Sequence, residues 1–143
     1  MIDVDGSKST IIVDVDKTDI TDIGFYNPRA VWSPDGNKIA YHGSDRGTIE
    51  LYVMNWDGSN TRKITTSRLP TVEEQNECIS ENASSGLPCA WANIDPSWSP
   101  DSTQLVFVSE QYVNDQIYLI NADGSNLRRL VVSEYEDRSP AWS

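Results

Sequence analysis

The chain has 143 residues, with 22 acidic and 11 basic side chains, and a formal net charge of −11. This charge disfavours nucleic acid and anionic membrane surfaces as partners, because binding phosphate groups needs a cationic face. The 38% hydrophobic content includes no apolar run near the length that spans a membrane, so the sequence predicts one ordinary domain without membrane insertion.

The dominant feature of the sequence is an internal repeat. The stretch "WSPDGNKIAYHGSDRGTIELYVMNWDGSNTRKIT" from Trp32 aligns without a gap with "WSPDSTQLVFVSEQYVNDQIYLINADGSNLRRLV" from Trp98. A weaker echo, "IDVDGSKSTIIV" from Ile2, follows the second half of this unit, and "SPAWS" near the last residue repeats its start. Self-similarity over this length indicates a repeat architecture.

Taken in chain order, each full unit predicts four strands, A to D. Short runs rich in Val, Ile, Leu and Tyr alternate with Pro-Asp-Gly and Asp-Gly-Ser clusters, a pattern typical of strands and turns. The N-terminal echo supplies a C and a D strand, and "SPAWS" supplies a last A strand. The two full units predict strands ending at Trp32 and over Lys38–His42, Ile49–Asn55, Thr61–Thr65, Pro96–Ser99, Thr103–Ser109, Gln116–Asn121 and Asn126–Val132.

These units predict an all-β fold of β-propeller blades, each with four antiparallel strands. Two blades are complete and others are partial, within a single partial β-propeller domain over residues 1–143. Trp98 and Trp142 are 44 residues apart, whereas Trp32 and Trp98 are 66 residues apart. The excess predicts an insertion between the blades over residues 66–95.

The number of blades leaves the ring incomplete. Propellers close with about four to eight blades, and two complete blades leave strand edges and apolar blade faces uncovered. Either the chain is an excised piece of a longer propeller, or several copies complete the ring between them. We expect the ring to be closed by self-association, which makes the protein a homo-oligomer whose partners are other copies of itself.

The repeated phrases resemble the TolB-type propeller repeat, a Pro-Asp-containing relative of the WD-repeat blade. The matching phrases are "WSPDGNKIAY", "LYVMNWDGSNTRKIT", "WSPDSTQLVF" and "IYLINADGSNLRRLV", and they cover most of residues 28–143 apart from the insertion. The motif is specific to the fold and not to one function, since such blades occur in exported TolB-like proteins and in propeller domains attached to peptidases. The resemblance implies a periplasmic or extracellular protein.

Most of the repeated residues have a structural role. Pro34-Asp35-Gly36 supplies the preset φ, the side-chain acceptor and the positive-φ residue of a tight turn. Ser102 stands where Gly36 stands in the first unit, which predicts a more strained turn or one of another type. We expect Trp32, Trp98 and Trp142 to pack between blades, because an indole buries a large apolar area when its N–H finds a partner.

Strand parity places the irregular B-to-C and D-to-A connections on one face of the ring, opposite the regular turns. The irregular loops are "GSDRGT" from Gly43, "EQYVND" from Glu110, "EYEDRS" from Glu134, "DIGFYNPR" from Asp22 and the insertion. Variable loops on a rigid scaffold usually carry binding, so we expect another protein to bind this face. The candidate binding residues are Tyr26, Arg29, Asp45, Arg46, Tyr112, Asp115, Tyr135 and Arg138.

Catalysis has little support in the sequence. His42 is the single histidine and has no His, Cys or carboxylate partner in motif spacing, and no serine lies in a Gly-x-Ser-x-Gly setting. The sequence therefore predicts a non-catalytic scaffold that mediates protein–protein interaction. A hydrolase or lactonase-like enzyme is the weaker alternative.

Both cysteines, Cys78 and Cys89, lie in the insertion and not in the blades. Two thiols without a nearby histidine make a poor zinc site. We expect a local disulfide, which would stabilise a loop without a core of its own and which indicates an oxidising compartment.

The N-terminal stretch "DVDGSKSTIIVDVDKTD" is dense in aspartate and raises the question of calcium. It lacks the spacing and the closing glutamate of an EF-hand, and its first half is explained by a C-to-D turn. The weak candidate ligands are Asp14, Asp16, Asp19 and Asp22, with a solvated acidic edge as the alternative. These residues do not define a cofactor site, and a ligand- or calcium-binding propeller that uses acidic loops or the central channel is the alternative function.

Overall fold

The computed structural model describes residues 29–69, 71–74, 76, 91–111, 114–130 and 139–142. Within these residues the chain forms eight strands: β1 (Ala30–Trp32), β2 (Lys38–Asp45), β3 (Thr48–Asn55), β4 (Arg62–Lys63), β5 (Ala92–Trp98), β6 (Gln104–Gln111), β7 (Asn114–Asn121) and β8 (Arg128–Arg129). No helix in this part of the chain has the length and apolar character needed to cross a membrane.

The strands form two antiparallel units of four, as the repeat predicts. β1 to β4 pair in sequence order and form blade 1, and β5 to β8 do the same and form blade 2. One parallel bridge joins the blades, where Ile49 of β3 lies beside Ala92 of β5. The main-chain N–H of Ile49 donates to the Trp91 carbonyl at 3.0 Å, so the two blades share a continuous hydrogen-bonded sheet at this point.

The connection between β2 and β3 is a tight hairpin, and β6 and β7 are paired as far as Gln111 and Asn114, so the prediction of irregular loops over all of Gly43–Thr48 and Glu110–Asp115 is wrong. β2 continues to Asp45 and β3 begins at Thr48, which leaves a two-residue turn. Arg46 and Gly47 have φ values of 50° and 91°, and two positive φ values in a two-residue loop are the geometry that matches strand twist. The polar residues of this stretch are typical of a loop, although β2 and β3 stay paired up to the turn.

Among the described residues, the fourth strands are Arg62–Lys63 and Arg128–Arg129, within the predicted Thr61–Thr65 and Asn126–Val132. The first is shorter than predicted, and residues 131–132 of the second prediction lie outside the described residues. In blade 1 the ladder with β3 ends near Thr65, because the Thr65 hydroxyl accepts the hydrogen bond from the Leu51 N–H at 2.9 Å. The chain then continues into the insertion.

The repeated Ser-Pro-Asp turns are locked by their own side chains. The Ser33 hydroxyl donates to Asp35 Oδ1 at 2.5 Å and accepts from the Lys38 N–H at 2.9 Å. Blade 2 repeats this pattern through Ser99 and Asp101. Ser102 adopts φ 61° where Gly36 has φ 71°, so the two turns have the same form, and the Ser102 hydroxyl accepts the Asp35 N–H of the other blade at 3.1 Å.

The apolar core lies between the blades. Ala40, Leu51, Val53 and Ile64 of blade 1 face Trp98, Leu105, Phe107 and Ile120 of blade 2 in one buried cluster. The Trp98 indole N–H donates to the Val31 carbonyl of blade 1 at 3.1 Å. Trp98 therefore packs between blades as the sequence predicts, with its one polar atom satisfied.

Replacing Trp98 with Phe should lower the free energy of unfolding by about 1–3 kcal/mol, because it removes the hydrogen bond to the Val31 carbonyl and part of the apolar area that is buried between the blades. Trp56→Phe is the matched control, since Trp56 is 51% exposed and should change stability by no more than about 0.5 kcal/mol. Urea unfolding followed by circular dichroism measures both. Equal effects of the two substitutions would contradict a specific role for the Trp98 hydrogen bond.

The Ser-Pro-Asp turns also predict acid sensitivity. The Ser33 hydroxyl and the Asn37 N–H lower the pKa of Asp35 from 3.8 to about 2, and Ser99 and Thr103 lower the pKa of Asp101. Because these pKa values are depressed in the folded state, their stabilisation is present above about pH 4 and is lost as the pH falls towards 2. The melting temperature should therefore fall across this window.

The double variant Asp35→Asn, Asp101→Asn tests this assignment. It should melt at a lower temperature at neutral pH and lose less stability on acidification than the unmodified chain, as measured by thermal unfolding at a series of pH values. Parallel acid profiles for the two proteins would show that other carboxylates, such as Asp57 and Asp123, whose pKa values are also lowered, account for the acid response.

Candidate functional site

The sheet register places the described candidate residues at one end of the blades, which we call the loop end. This end carries the β2–β3 and β6–β7 hairpins. Arg29 directly precedes Ala30, which lies opposite Tyr41, and Arg46 is exposed at the β2–β3 turn. Four candidate binding residues lie outside the described residues: Tyr26, Tyr112, Tyr135 and Arg138. The two cysteines and the weak metal candidates also lie outside them: Cys78, Cys89, Asp14, Asp16, Asp19 and Asp22.

The described candidates bind neighbours other than one another. Arg29 Nη1 forms an exposed ion pair with Asp95 of blade 2 at 3.3 Å, and Lys63 Nζ pairs with Asp45. Asp115 lies inside β7 with 8% of its surface exposed, so it is not the exposed loop residue that the sequence suggested. Arg29 and Arg46 are both exposed.

A cavity of about 380 Å³ lies near the loop end, between the segment that follows β4 and the face of blade 2. Its polar lining includes Thr66, Ser67, Asn93 and Ser109, and its aromatic lining consists of Trp91, Phe107 and Tyr118. The rings of Phe107 and Tyr118 are stacked at 5.9 Å, as their cross-strand pairing requires. The cavity thus offers hydroxyl and amide groups beside aromatic walls.

Arg68 and Trp91 form the charged and aromatic border of this cavity. The Arg68 guanidinium lies over the Trp91 ring at 4.0 Å from its centroid, a cation–π arrangement. Arg68 also donates to Glu74 in a two-pronged pair, with Nη1 to Oε2 at 2.7 Å. This pairing, together with the Thr71 N–H, lowers the pKa of Glu74 to about 2 and raises the pKa of Arg68.

Glu74 is held by a helix cap that the sequence analysis missed. The Thr71 N–H donates to Glu74 Oε2 at 2.7 Å and the Glu74 N–H donates to Thr71 Oγ1 at 3.2 Å, which is a reciprocal capping box. Residues 72–74 and 76 are helical. The signal in the sequence is "TVEE", a Thr followed three residues later by Glu, and it marks a helical start within the insertion.

Behind the cavity, Glu50 is 1% exposed and accepts four hydrogen bonds. The donors are Thr48 Oγ1 at 3.0 Å, Thr65 Oγ1 at 2.5 Å, the Ser67 N–H at 2.7 Å and Asn93 Nδ2 at 3.0 Å. These donors come from β3, from the segment after β4 and from β5 of blade 2. The buried carboxylate therefore fixes the connection between the blades and one wall of the cavity.

His42 lies in β2 opposite Leu51 and is 4% exposed. Among the described residues, no group of three or more His, Cys, Asp or Glu side chains is arranged to hold a metal ion. The chemistry that the described site offers is thus hydrogen bonding, stacking and cation–π contact.

The chain matches no protein-family model. It is 34% identical to a TolB homolog of Chlorobaculum tepidum, with 66% of this chain and 27% of that protein covered. Its fold is similar to that of TolB from Acinetobacter baumannii, with a TM-score of 0.58 and 18% identity over 91% of this chain and 25% of that one. The chain belongs to the TolB-type β-propeller family.

This chain spans about a quarter of the length of these relatives. A puromycin hydrolase is also similar in structure, with a TM-score of 0.51 and 16% identity over 75% of this chain and 14% of that one. That likeness concerns the fold alone. The comparisons thus establish the propeller family of these blades.

Replacing Glu50 with Gln should lower the free energy of unfolding by about 2 kcal/mol or more, because an amide NH₂ would face a donor and at least one charge-assisted hydrogen bond would be lost. Glu73→Gln is the control: Glu73 is exposed, and its substitution should be neutral within about 0.5 kcal/mol. Urea unfolding measures both. A neutral Glu50→Gln substitution would contradict a structural role for the four hydrogen bonds.

Proposed function

We propose that the chain is a non-catalytic propeller scaffold that binds another protein through its loop end. The observation that carries this proposal is the pairing of Arg68 with Trp91 beside a cavity of about 380 Å³. Tryptophan, tyrosine and arginine supply most of the binding energy in protein interfaces, and they act from well-packed positions next to pockets. Here a packed Arg68–Trp91 pair borders a cavity that a partner side chain can enter.

The position of this cluster supports binding by a rigid surface. Arg68 is fixed by the capped Glu74, and Asn93 donates to both Glu50 and the Ser67 hydroxyl, at 3.0 and 2.9 Å. A partner that binds here orders few side chains, which reduces the entropic cost of association. The exposed Arg46 at the same end adds positive charge to a chain that is acidic as a whole. An acidic or polar segment of a partner fits this combination.

A small organic ligand is the second candidate occupant, on the basis of the volume and lining of the cavity. Its volume lies near the lower end of the range of about 300–1,000 Å³ that is usual for ligand sites, and its lining combines aromatic walls with a few polar groups. Calcium binding by the N-terminal aspartates stays a separate prediction.

A non-catalytic role is supported by the burial of His42, since a general base has to reach a substrate proton. Residence in the periplasm or outside the cell, and a disulfide between Cys78 and Cys89, are part of the same proposal. They rest on the family resemblance and on the use of cysteine in the insertion. A hydrolase activity would show as turnover of ester, lactone or peptide substrates.

The protein-binding proposal is tested by selecting random displayed peptides on the immobilised chain and titrating the selected peptides in a calorimeter. Trp91→Ala should weaken their binding at least tenfold, because it removes an aromatic anchor and the partner of Arg68. Trp56→Ala is the matched control, since this exposed tryptophan follows β3 at the opposite end of the blade, and it should leave affinity unchanged.

Two outcomes would contradict the proposal. One is a selection that returns no binding peptide. The other is a set of peptides whose affinity drops with Trp56→Ala and not with Trp91→Ala, which would move the binding surface to the other end of the propeller.

A further inference from the structure

Arg68 borders the cavity with its hydrogen-bonding edge occupied and with one flat face of its guanidinium covered. Nη1 donates to Glu74 Oε2 at 2.7 Å and to the Leu69 carbonyl at 3.3 Å, and Nη2 donates to Glu74 Oε1. The Trp91 ring lies under one face, with its centroid 4.0 Å from Cζ. The Arg68 side chain is nevertheless 54% exposed, and within the described residues no second ring lies over it. The face turned away from Trp91 is therefore open to solvent.

The charge of Arg68 is already balanced by Glu74. The hydrogen bonds from the guanidinium lower the pKa of Glu74 to about 2, so this carboxylate is ionised at neutral pH. Ser67 and Asn93, which line the cavity, both donate to the buried carboxylate of Glu50. A partner carboxylate at Arg68 would have to displace Glu74 and would lie beside a wall that Glu50 backs. The position at Arg68 is thus unfavourable for an acidic side chain.

Three exposed apolar side chains lie near this arginine. Leu69 follows Arg68 directly, and Val72 belongs to the short loop that the Arg68–Glu74 pair closes. Leu127 lines the cavity from the side of blade 2. Each of the three is more than half exposed. Exposed apolar residues that gather around one position are typical of an interaction site, and they favour an apolar occupant there.

We propose that a protein partner places an aromatic side chain on the open face of Arg68, so that the guanidinium lies between this ring and Trp91. The proposal rests on the proposed function, since it names the residue type that a partner presents at the loop end. A guanidinium is flat and weakly hydrated, and it stacks on aromatic faces while its edge stays hydrogen-bonded. The negative face of the ring attracts the cation, which an aliphatic side chain does not do.

The surface around Arg68 suits the rest of such a segment. The neighbouring cavity has a volume of about 380 Å³ and aromatic walls of Phe107 and Tyr118. A cavity of about 150 Å³ is enough to hold a benzene ring, so the edge of a partner ring has room to enter. An acidic residue of the same segment pairs with Arg46, which is exposed at the β2–β3 turn, and not with Arg68.

The test uses a displayed peptide that was selected on the immobilised chain and that loses affinity with Trp91→Ala. Replacing each peptide residue with alanine locates its most sensitive aromatic position. Three versions of the peptide, with phenylalanine, cyclohexylalanine or glutamate at that position, are then titrated in a calorimeter. Cyclohexylalanine has a similar size and apolar character but no aromatic face. The phenylalanine peptide should bind about threefold to tenfold more tightly than the cyclohexylalanine peptide, and the glutamate peptide should bind most weakly.

Variants of the chain assign this preference to Arg68. Arg68→Met removes the guanidinium and keeps an extended side chain, so the phenylalanine and cyclohexylalanine peptides should then bind equally. Arg46→Met is the matched control, since Arg46 is an exposed arginine at the same end, and it should leave the preference unchanged. Glu74→Gln removes the competing carboxylate and should strengthen binding of the glutamate peptide. The comparison of peptides on the unmodified chain remains decisive if Arg68→Met does not fold.

The outcomes separate this inference from the proposed function. Peptides that depend on Trp91 but have no sensitive aromatic residue would overturn the inference and leave protein binding standing. Equal affinities of the phenylalanine and cyclohexylalanine peptides for the unmodified chain, or a glutamate peptide that binds as tightly as the phenylalanine peptide, would do the same. N-acetylphenylalanine amide that binds as tightly as the peptide would make a small aromatic compound the occupant. A selection that returns no binding peptide contradicts both proposals.

Discussion

The two blades are held together by an apolar layer that neither of them could bury alone. Each blade is a single sheet, and Leu51 and Val53 of blade 1 become buried only because Leu105, Phe107 and Ile120 of blade 2 lie against them. The hydrophobic gain from this layer scales with the area removed from water, which is why a blade is not stable as a unit of its own. The few polar atoms at this layer are paired across it, as the Trp98 indole is with Val31.

The same constraint builds the candidate site. To place Trp98 on blade 1, β5 has to start beside β3, and the bridge between Ile49 and Ala92 marks that start. This brings Asn93 to the carboxylate of Glu50 and sets Trp91 under Arg68. The cavity is the space that remains where the segment after β4 crosses to blade 2. Packing between blades thus determines where the site lies, and the insertion determines what lines its border.

The sequence predicts the architecture well because the repeat marks each blade twice. Trp32 and Trp98 locate the ends of the first strands, and the Pro-Asp turns after them locate the starts of β2 and β6. The errors have local causes. The stretch around Arg46-Gly47 is polar enough to read as a loop, yet both residues adopt the positive φ that a tight hairpin needs.

The candidate site is harder to predict because its contacts join residues that are far apart in the chain. Asn93 meets Glu50 across 43 residues, and no periodic pattern connects them. Arg68 and Trp91 lie at the two ends of the insertion, where the repeat gives no register. The capping box at Thr71 and Glu74 is the exception, since its spacing is visible in the sequence and it fixes the residue that binds Arg68.

The features that are specific to this chain lie at positions where the two blades differ, because the residues that build a blade recur in both. Glu50 occupies the position that Gln116 has in blade 2. The buried Glu50 carboxylate accepts hydrogen bonds from four neutral donors, whereas Gln116 accepts one from Arg129. Burying a carboxylate is costly unless its lone pairs are satisfied, and the four donors around Glu50 satisfy them. A fully satisfied carboxylate at the junction of β3, β5 and the segment after β4 fixes one geometry among these three elements. The cavity lies at this junction and its lining depends on that geometry, so the departure from the repeat at Glu50 and the position of the candidate site have the same physical cause.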